Sequence, residues 1–312
     1  VACVALRGAA RDRRPWVAAE VLRCMRASSI EVNVFHYAAT LTACERACQW
    51  ELALRLLNGM PETDVSPDAF CCNAAMSACE KSGRWRLAVA LLRAMPEMRV
   101  ARDVISCNAA TSACEKGGQW QLAIALVASM TELRVAPDVI TLSAVVSACE
   151  KRGRWRPSLA LLSAMPGLHV PPNVVSFNAA IGACETSGRW QLALSVLASM
   201  PYLRAMPDVI SFSAAMSACE KGVEWRPSLA LLDSMAAFRV APDVISCSTG
   251  VSSCEKAGRW RPALALFGSL DALRLPPDAI SCNAVVSACG KGGQWQGGVP
   301  PFRAGPPARG AQ

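Results

Sequence analysis

The sequence predicts an all-α fold, an α-solenoid of antiparallel helical hairpins, and three spacings predict it. Tryptophan recurs as Trp16, Trp50, Trp85, Trp120, Trp155, Trp190, Trp225, Trp260 and Trp295, with a first step of 34 residues and every later step 35. Cysteine keeps the same beat at Cys44, Cys79, Cys114, Cys149, Cys184, Cys219, Cys254 and Cys289. A Pro-Asp stop runs in phase with both, as in "SPDA", "APDVI" and "PPDAI". A fixed period of this size marks stacked units, none of which buries its apolar face alone.

Each copy is framed to begin just after the stop. Residues 1–33 read as a degenerate N-terminal partial repeat. Seven tandem repeats follow at 34–68, 69–103, 104–138, 139–173, 174–208, 209–243 and 244–278. Residues 279–295 begin a further, partial repeat, and the Pro/Gly-rich tail 296–312 reads as disordered. Within 104–138, Ser106 is expected to cap a first helix. Ala109, Ala110, Ala113 and Cys114 give that helix a stripe of small residues that lets helices approach closely. Lys116 suits the negative end of the helix dipole, and Gly117 and Gly118 end the helix. A second helix is expected to start beside Trp120, with Trp120, Ala123, Val127 and Met130 on its buried face. Proline follows the equivalent methionine at Pro61, Pro96, Pro166 and Pro201, where it should end or kink the second helix.

Composition narrows the function classes. Hydrophobic residues make up 53% of the chain, yet no apolar run nears the roughly 18 residues of a membrane span. No membrane partner is expected. The net charge of +8 is compatible with a polyanion. The chain opens with Val, not Met, and is expected to be a fragment. The basic stretch "RGAARDRRPW" contains Asp12, so it is not read as a transit peptide. Equivalent cysteines lie one repeat apart, too far for bridges, so the 16 cysteines are expected to be reduced and buried. With two histidines, no Cys-x-x-Cys and no phosphate-cradling glycine loop, no enzyme is visible: no catalytic residues, no metal, no cofactor and no small-molecule substrate are expected. A zinc site from Cys44, Cys48 and His36 is not favoured over plain burial.

The unit resembles a pentatricopeptide repeat of the 35-residue P type. The resemblance rests on its length, the opening "V-I-S-x-N", the mid-loop "K-x-G", the Ala-x-x-Leu of the second helix and the closing "P-D". It spans residues 34 to about 295. The chain departs from the pattern at Cys72, Cys107 and Phe177, at the tryptophan opening each second helix, and at Arg102. The resemblance implies a right-handed superhelix. It also implies single-stranded RNA as partner, one base per repeat, read by the fifth and last residues of each unit. Those pairs are Asn73 with Asp103, Asn108 with Asp138, Ser143 with Asn173, Asn178 with Asp208, Ser213 with Asp243, and Ser248 with Asp278. Unit 34–68 has Ala38 with Asp68 and lacks a fifth-position hydrogen bonder.

Ser is short and leaves room for a purine, whereas Asn fills that room. Asp accepts from the imino N–H of guanine or uracil, and Asn173 can donate to adenine. The expected reading from residue 69, its direction taken from the resemblance, is U-U-A-U-G-G. The second residue of each unit is implied to wedge between bases: Phe70, Ile105, Ile140, Val175, Ile210 and Ile245, with Phe35 and Ile280 equivalent. The alternative for these residues is helix-entry packing. Lys81, Lys116, Lys151, Lys221 and Lys256 could track phosphates, or pair with the preceding glutamates. Arg99, Arg134, Arg204, Arg239 and Arg274, with His169, form a second row for which solubility and capping are expected. The tryptophans are expected to be core. The implied role is an RNA-binding adaptor for organelle RNA processing, stability or translation, in mitochondrion or chloroplast, working with RNA-processing enzymes. The competing readings are a tetratricopeptide-like protein scaffold and a decayed gene product whose end after Trp295 exposes apolar surface.

Overall fold

A computed structural model describes residues 2–28, 30–272 and 275–293. The tail 296–312, Trp295 and Arg274 lie outside the described residues. Among the described residues the fold is all-α, with no strand. Contacts divide it into two compact units: residues 1–152 with 156–171, and residues 153–155 with 172–312. The first holds α1 (Ala2–Arg11), α2 (Pro15–Ala27), α3 (Val34–Arg46), α4 (Trp50–Gly59), α5 (Ala69–Lys81), α6 (Trp85–Ala94), α7 (Val104–Lys116), α8 (Trp120–Glu132), α9 (Val139–Glu150) and most of α10 (Trp155–Ala164). The second holds α11 (Val174–Thr186), α12 (Trp190–Ser199), α13 (Val209–Lys221), α14 (Trp225–Ala237), α15 (Val244–Lys256), α16 (Trp260–Ala272) and α17 (Ala279–Lys291). Residues 1–33, expected to hold a partial repeat, contain both helices of a hairpin, α1 and α2.

The first helix of each hairpin starts where its cap dictates. Asn33, Asp68, Asp103, Asp138, Asn173, Asp208, Asp243 and Asp278 are the N-caps, each accepting a hydrogen bond from the backbone N–H three residues on. Ser106, expected to be the cap, stands instead at the third helical position, where its hydroxyl completes a capping box with Asp103. A carboxylate in extended backbone reaches the free N–H groups of the first turn and also favours the helix dipole, so it outcompetes a hydroxyl already inside the helix. The far end closes on a left-handed residue, Gly83, Gly118, Gly153, Gly188, Gly258 or Gly293, with Cys48 and Val223 in the same conformation elsewhere.

Proline sets the length of the second helix. Where it follows the buried methionine, the helix runs 10 residues, as in α4, α6, α10 and α12. Where it does not, in α8, α14 and α16, the helix runs 13. The missing N–H and the ring's clash with the preceding turn stop the helix. Both versions then end alike, with a left-handed residue (Asp64, Arg99, Arg134, His169, Arg204 or Arg239). The next N–H reaches back to the methionine carbonyl, as Val135 N to Met130 O at 2.9 Å. This satisfies an orphan carbonyl by a Schellman bond. The arginine row is therefore a helix-terminus row in a backbone conformation that favours glycine.

Within each unit, successive first helices pack on one another, and second helices pack on the first helices of their own and the following hairpin. The close approach uses small residues: Ala75, Ala78, Cys79, Ala110, Ala113 and Cys114 are wholly buried, as are Ala180, Ala183, Cys184, Ala218 and Cys219. Met60, Met95, Met130, Met165, Met200 and Met235 are also fully buried, fitting the gaps between helices. All described cysteines are free thiols, most of them buried, although Cys24 and Cys48 are exposed. The tryptophans depart from a core reading. Trp16 is 62% exposed, and the others among the described residues are half-buried. Their rings lie against the next hairpin's turn: a Cβ on Gly117 would stand 2.4 Å from Trp85 Cδ1, and the Arg84 guanidinium stacks 4.9 Å from the Trp50 ring. Among the described residues no helix is long and apolar enough to cross a membrane.

Candidate nucleic-acid interface

The repeat's last residue does two jobs at once. As N-cap it accepts from the next helix, and it also faces the fifth residue of its own repeat. Asn73 Nδ2 donates to Asp103 at 3.2 Å, Asn108 Nδ2 to Asp138 Oδ2 at 3.0 Å, and Asn178 Nδ2 to Asp208 Oδ1 at 3.2 Å. A third group, not anticipated from the sequence, joins them. The Thr141 hydroxyl donates to Asn108 Oδ1, and the Ser211 hydroxyl donates to Asn178 Oδ1 at 2.5 Å. Both amide ends of those asparagines are thus fixed. Around Asn73 the triad is incomplete: Ser106 Oγ turns to the Asp103 carbonyl at 2.7 Å, and the buried Asn73 Oδ1 has no hydrogen-bond partner.

Serine repeats are built differently. Ser213 Oγ lies 3.1 Å from Ser246 Oγ, which in turn donates to Asp243 at 2.6 Å. Ser248 Oγ donates to its own helix at Ile245 O, 3.0 Å away, and leaves Asp278 to its capping bonds. The carboxylate edge is therefore covered by an amide in asparagine repeats and uncovered in serine repeats. Ser143 and Asn173 fall in different compact units. Ser143 is buried in α9, and Asn173 caps α11, its Oδ1 accepting from Ser176 N at 2.9 Å.

Electrostatics follow from this bonding. Burial pushes the Asp138 carboxyl up, but hydrogen bonds from the Thr141 N–H, the Thr141 hydroxyl and the Asn108 amide outweigh it and hold it below the ordinary aspartate value. Asp208 behaves the same way, burial being outweighed by Ser211 and Asn178. Both are acceptors throughout the physiological range.

One helical turn before each fifth residue stands an exposed apolar side chain. Phe70, Ile105, Ile140, Val175, Ile210 and Ile245 are 57–65% exposed, with Phe35 at 76% and Ile280 at 63%. Helix-entry packing would have buried them. A hydrogen-bonding row and an apolar row thus share one face of the first helices within each unit, because residues three apart on a helix are neighbours.

The lysine row is paired, though not with its sequence neighbours. Lys81 bonds Glu45, Lys116 Glu80, Lys151 Glu115, Lys221 Glu185, Lys256 Glu220 and Lys291 Glu255, all at 2.8–2.9 Å and each to a glutamate 36 residues earlier. Adjacent residues point to different sides of a helix, so the stacked hairpin supplies the partner. Among the described residues no three His, Cys, Asp or Glu side chains gather as a metal site.

These features define a class: stacked 35-residue helical hairpins, most of which present an amide-or-hydroxyl and carboxylate pair beside an exposed apolar side chain. A family model for "pentatricopeptide repeat-containing protein" matches residues 1–130, and one for "pentatricopeptide repeat domain" matches residues 160–221. Among solved structures, the chain is similar to the pentatricopeptide repeat protein PPR10 from maize, with 17% identity and a TM-score of 0.62, covering 94% of this chain and 47% of that one. It is also similar to PPR10 in complex with an 18-nucleotide psaJ RNA element, at 16% identity, a TM-score of 0.50 and 90% and 46% coverage. Nuclear proteinaceous RNase P 2 from Arabidopsis thaliana gives 13%, 0.53, and 60% and 42%. The chain thus spans less than half the length of each of these structures. No curated protein matches it. The chain belongs to the pentatricopeptide repeat family.

Proposed function

We propose that the chain is a sequence-selective single-stranded RNA-binding adaptor, non-catalytic, that reads one base per repeat. The observation that carries the reading is the exposed apolar row beside the row of Asn–Asp and Ser/Asp pairs. Exposed β-branched and aromatic side chains one repeat apart replace the stacking a base loses on leaving its neighbours. Between them, a carboxylate accepts from an imino N–H, and Asn or Ser sets the room left for the base. The hydroxyl triad orients the asparagine amide so that its donor faces the carboxylate. The RNA complex of PPR10 lends this reading a relative of the same fold.

The assignments are U at Asn73/Asp103, U at Asn108/Asp138, A at Ser143/Asn173, U at Asn178/Asp208, G at Ser213/Asp243 and G at Ser248/Asp278. The wedges are Phe70, Ile105, Ile140, Val175, Ile210 and Ile245. Lys81, Lys116, Lys151, Lys221 and Lys256 take a lesser part in phosphate contact, since each exchanges a glutamate for the phosphate. Such an adaptor serves organelle RNA processing, stability or translation, in chloroplast or mitochondrion, and any cutting or editing belongs to partner enzymes. The test is selection of the full chain on a randomised single-stranded RNA pool followed by sequencing. Enrichment near U-U-A-U-G-G is expected. An unenriched pool whose binding is also independent of salt contradicts the reading and favours a protein-binding scaffold.

A further inference from the structure

Two junctions in the array join a short second helix to a long one: α6 to α8, and α12 to α14. At each, a 10-residue helix stopped by proline leaves its last carbonyls short of intrahelical partners. The first junction fills that end from within. Arg102, standing where the stop has proline, lays its guanidinium over the end of α6: Nε donates to Leu92 O at 2.9 Å and Nη2 to Arg93 O at 3.2 Å. In the second junction Pro207 stands in Arg102's place. The equivalent carbonyls, Leu197 O and Ala198 O, receive no side-chain donor, although Met200 N reaches Leu197 O at 3.2 Å. The last turn of α12 carries no basic residue either.

In that place lies a cavity of 350 Å³, wholly within the second compact unit. Leu197, Ala198 and Pro207 line it, with Tyr202, Phe212 and Phe238 as aromatic walls. Two of these aromatics depart from the repeat. Tyr202 stands where sister repeats have Glu97, Glu132 or Gly167, and Phe238 where they have Leu133 or Leu168. Phe212 is buried and packs on Phe238, with ring centroids 5.7 Å apart. Tyr202 is 88% exposed, and Leu203 and Met206 near it in the chain are exposed as well. Large apolar groups gathered in the open mark a contact surface. Of the lining side chains only Tyr202 and Ser234 are polar, and the Ser234 hydroxyl is directed to Leu231 O at 2.7 Å. Recognition therefore falls to ring faces and to carbonyl acceptors at the negative end of a helix dipole. Arg204 and Arg239 are exposed helix stops of the kind most repeats carry, and they do not line the cavity.

We infer that this cavity is an arginine-binding site that docks an arginine-bearing segment of a partner protein. The guest guanidinium takes the place that Arg102 fills in its own junction. Its N–H groups donate to Leu197 O and Ala198 O, and its face lies against Tyr202 and Phe238. A lysine ammonium has neither the planar face nor the fork of donors. The exposed skirt of Tyr202, Leu203 and Met206 covers the residues that flank the arginine. The charged ends of a free amino acid would lie against that apolar skirt, which favours a segment of chain over a single residue. The inference is independent of the RNA reading.

Selection of phage-displayed random heptapeptides on the chain tests it, with enriched peptides synthesised and titrated by fluorescence anisotropy. Pro207→Arg writes the sister junction's arginine into this one and should close the cavity. Enriched peptides should share an arginine and bind the Pro207→Arg chain about tenfold more weakly. Changing the peptide's arginine to lysine should weaken binding by a similar factor. Tyr202→Ala, at an exposed site where the next repeat has Ala237, should weaken it about 2- to 5-fold. Thermal melts of both variants, and their binding of U-U-A-U-G-G, should match those of the unaltered chain. Should Pro207→Arg melt early, Tyr202→Ala decides alone. Peptides without arginine that still need the cavity would overturn the inference in favour of a purely apolar groove. It also falls if no peptide separates the chain from the variants, or if L-arginine competes as well as the peptide does. Displacement of the peptide by U-U-A-U-G-G would overturn it too, making the cavity part of a nucleic-acid surface.

Discussion

At the scale of the residue, one carboxylate caps the next helix and accepts from the fifth residue of its own repeat, and the same carboxylate is the recognition group we propose. Asp138 and Asp208 sit below the ordinary aspartate value once their hydrogen bonds outweigh burial. A depressed folded-state pKa contributes stability that is complete above the unfolded value of about 3.9 and lost as pH falls through the folded one. Melting as a function of pH should therefore decline below about pH 4, and Asp138→Asn should flatten the decline. Burial also pushes the Cys79, Cys114, Cys184 and Cys219 thiols up to about 11. Alkylation of the folded chain followed by mass spectrometry should modify the exposed Cys24 and Cys48 before this buried row; equal labelling would contradict the packing. The fifth and last positions were legible in the sequence because they alternate among hydrogen bonders at a fixed period. Thr141 and Ser211, which complete the triads, were not, because a Ser or Thr three residues after Asp reads equally well as part of a cap. Their role appears only when the next helix brings them to the asparagine.

At the scale of the element, most helix boundaries follow from single residues. Pro96 holds α6 at 10 residues, whereas α8 without that proline runs 13. Pro96→Ala should lengthen α6 by about one turn, read as new amide protection at residues 96 and 97, since the Met95 N–H already bonds Leu91 O. Val223 is a sharper case. It occupies a left-handed conformation at φ 60°, where every other full repeat but one, which has Cys48, carries glycine. A β-branched side chain there is strained, so Val223→Gly should stabilise the chain by about 1 kcal/mol despite the added freedom of the unfolded chain. An unchanged or lower melting temperature would count against the strain. The hairpins, their turns and the proline stops were legible from residue types that act locally. The tryptophans were misjudged because their helical spacing matches a core face. The size of the indole and its place beside the next hairpin's turn leave it half-covered.

At the scale of the molecule, stacking decides what the charges do. In sequence the lysines read either as a phosphate track or as partners of the preceding glutamates, and each is neutralised by a glutamate of the preceding hairpin. Exposed pairs of this kind contribute about 0.2–1 kcal/mol each. Lys116→Gln should thus change stability little and leave the salt slope of RNA binding nearly unchanged; a drop of about 0.7 would restore the lysines as phosphate contacts. No single repeat could reveal this, since the partner lies 36 residues away. The apolar row is the opposite case. Its period was legible, but its exposure required the stacked structure.

The most direct test exchanges one residue of one pair. The chain and its Ser213→Asn variant are titrated with U-U-A-U-G-G and with U-U-A-U-U-G. The account predicts that the unaltered chain prefers the first RNA, and that the variant, its carboxylate now covered by an amide, prefers the second. Loss of affinity for both, or the same preference in both proteins, would contradict the claim that these pairs read bases.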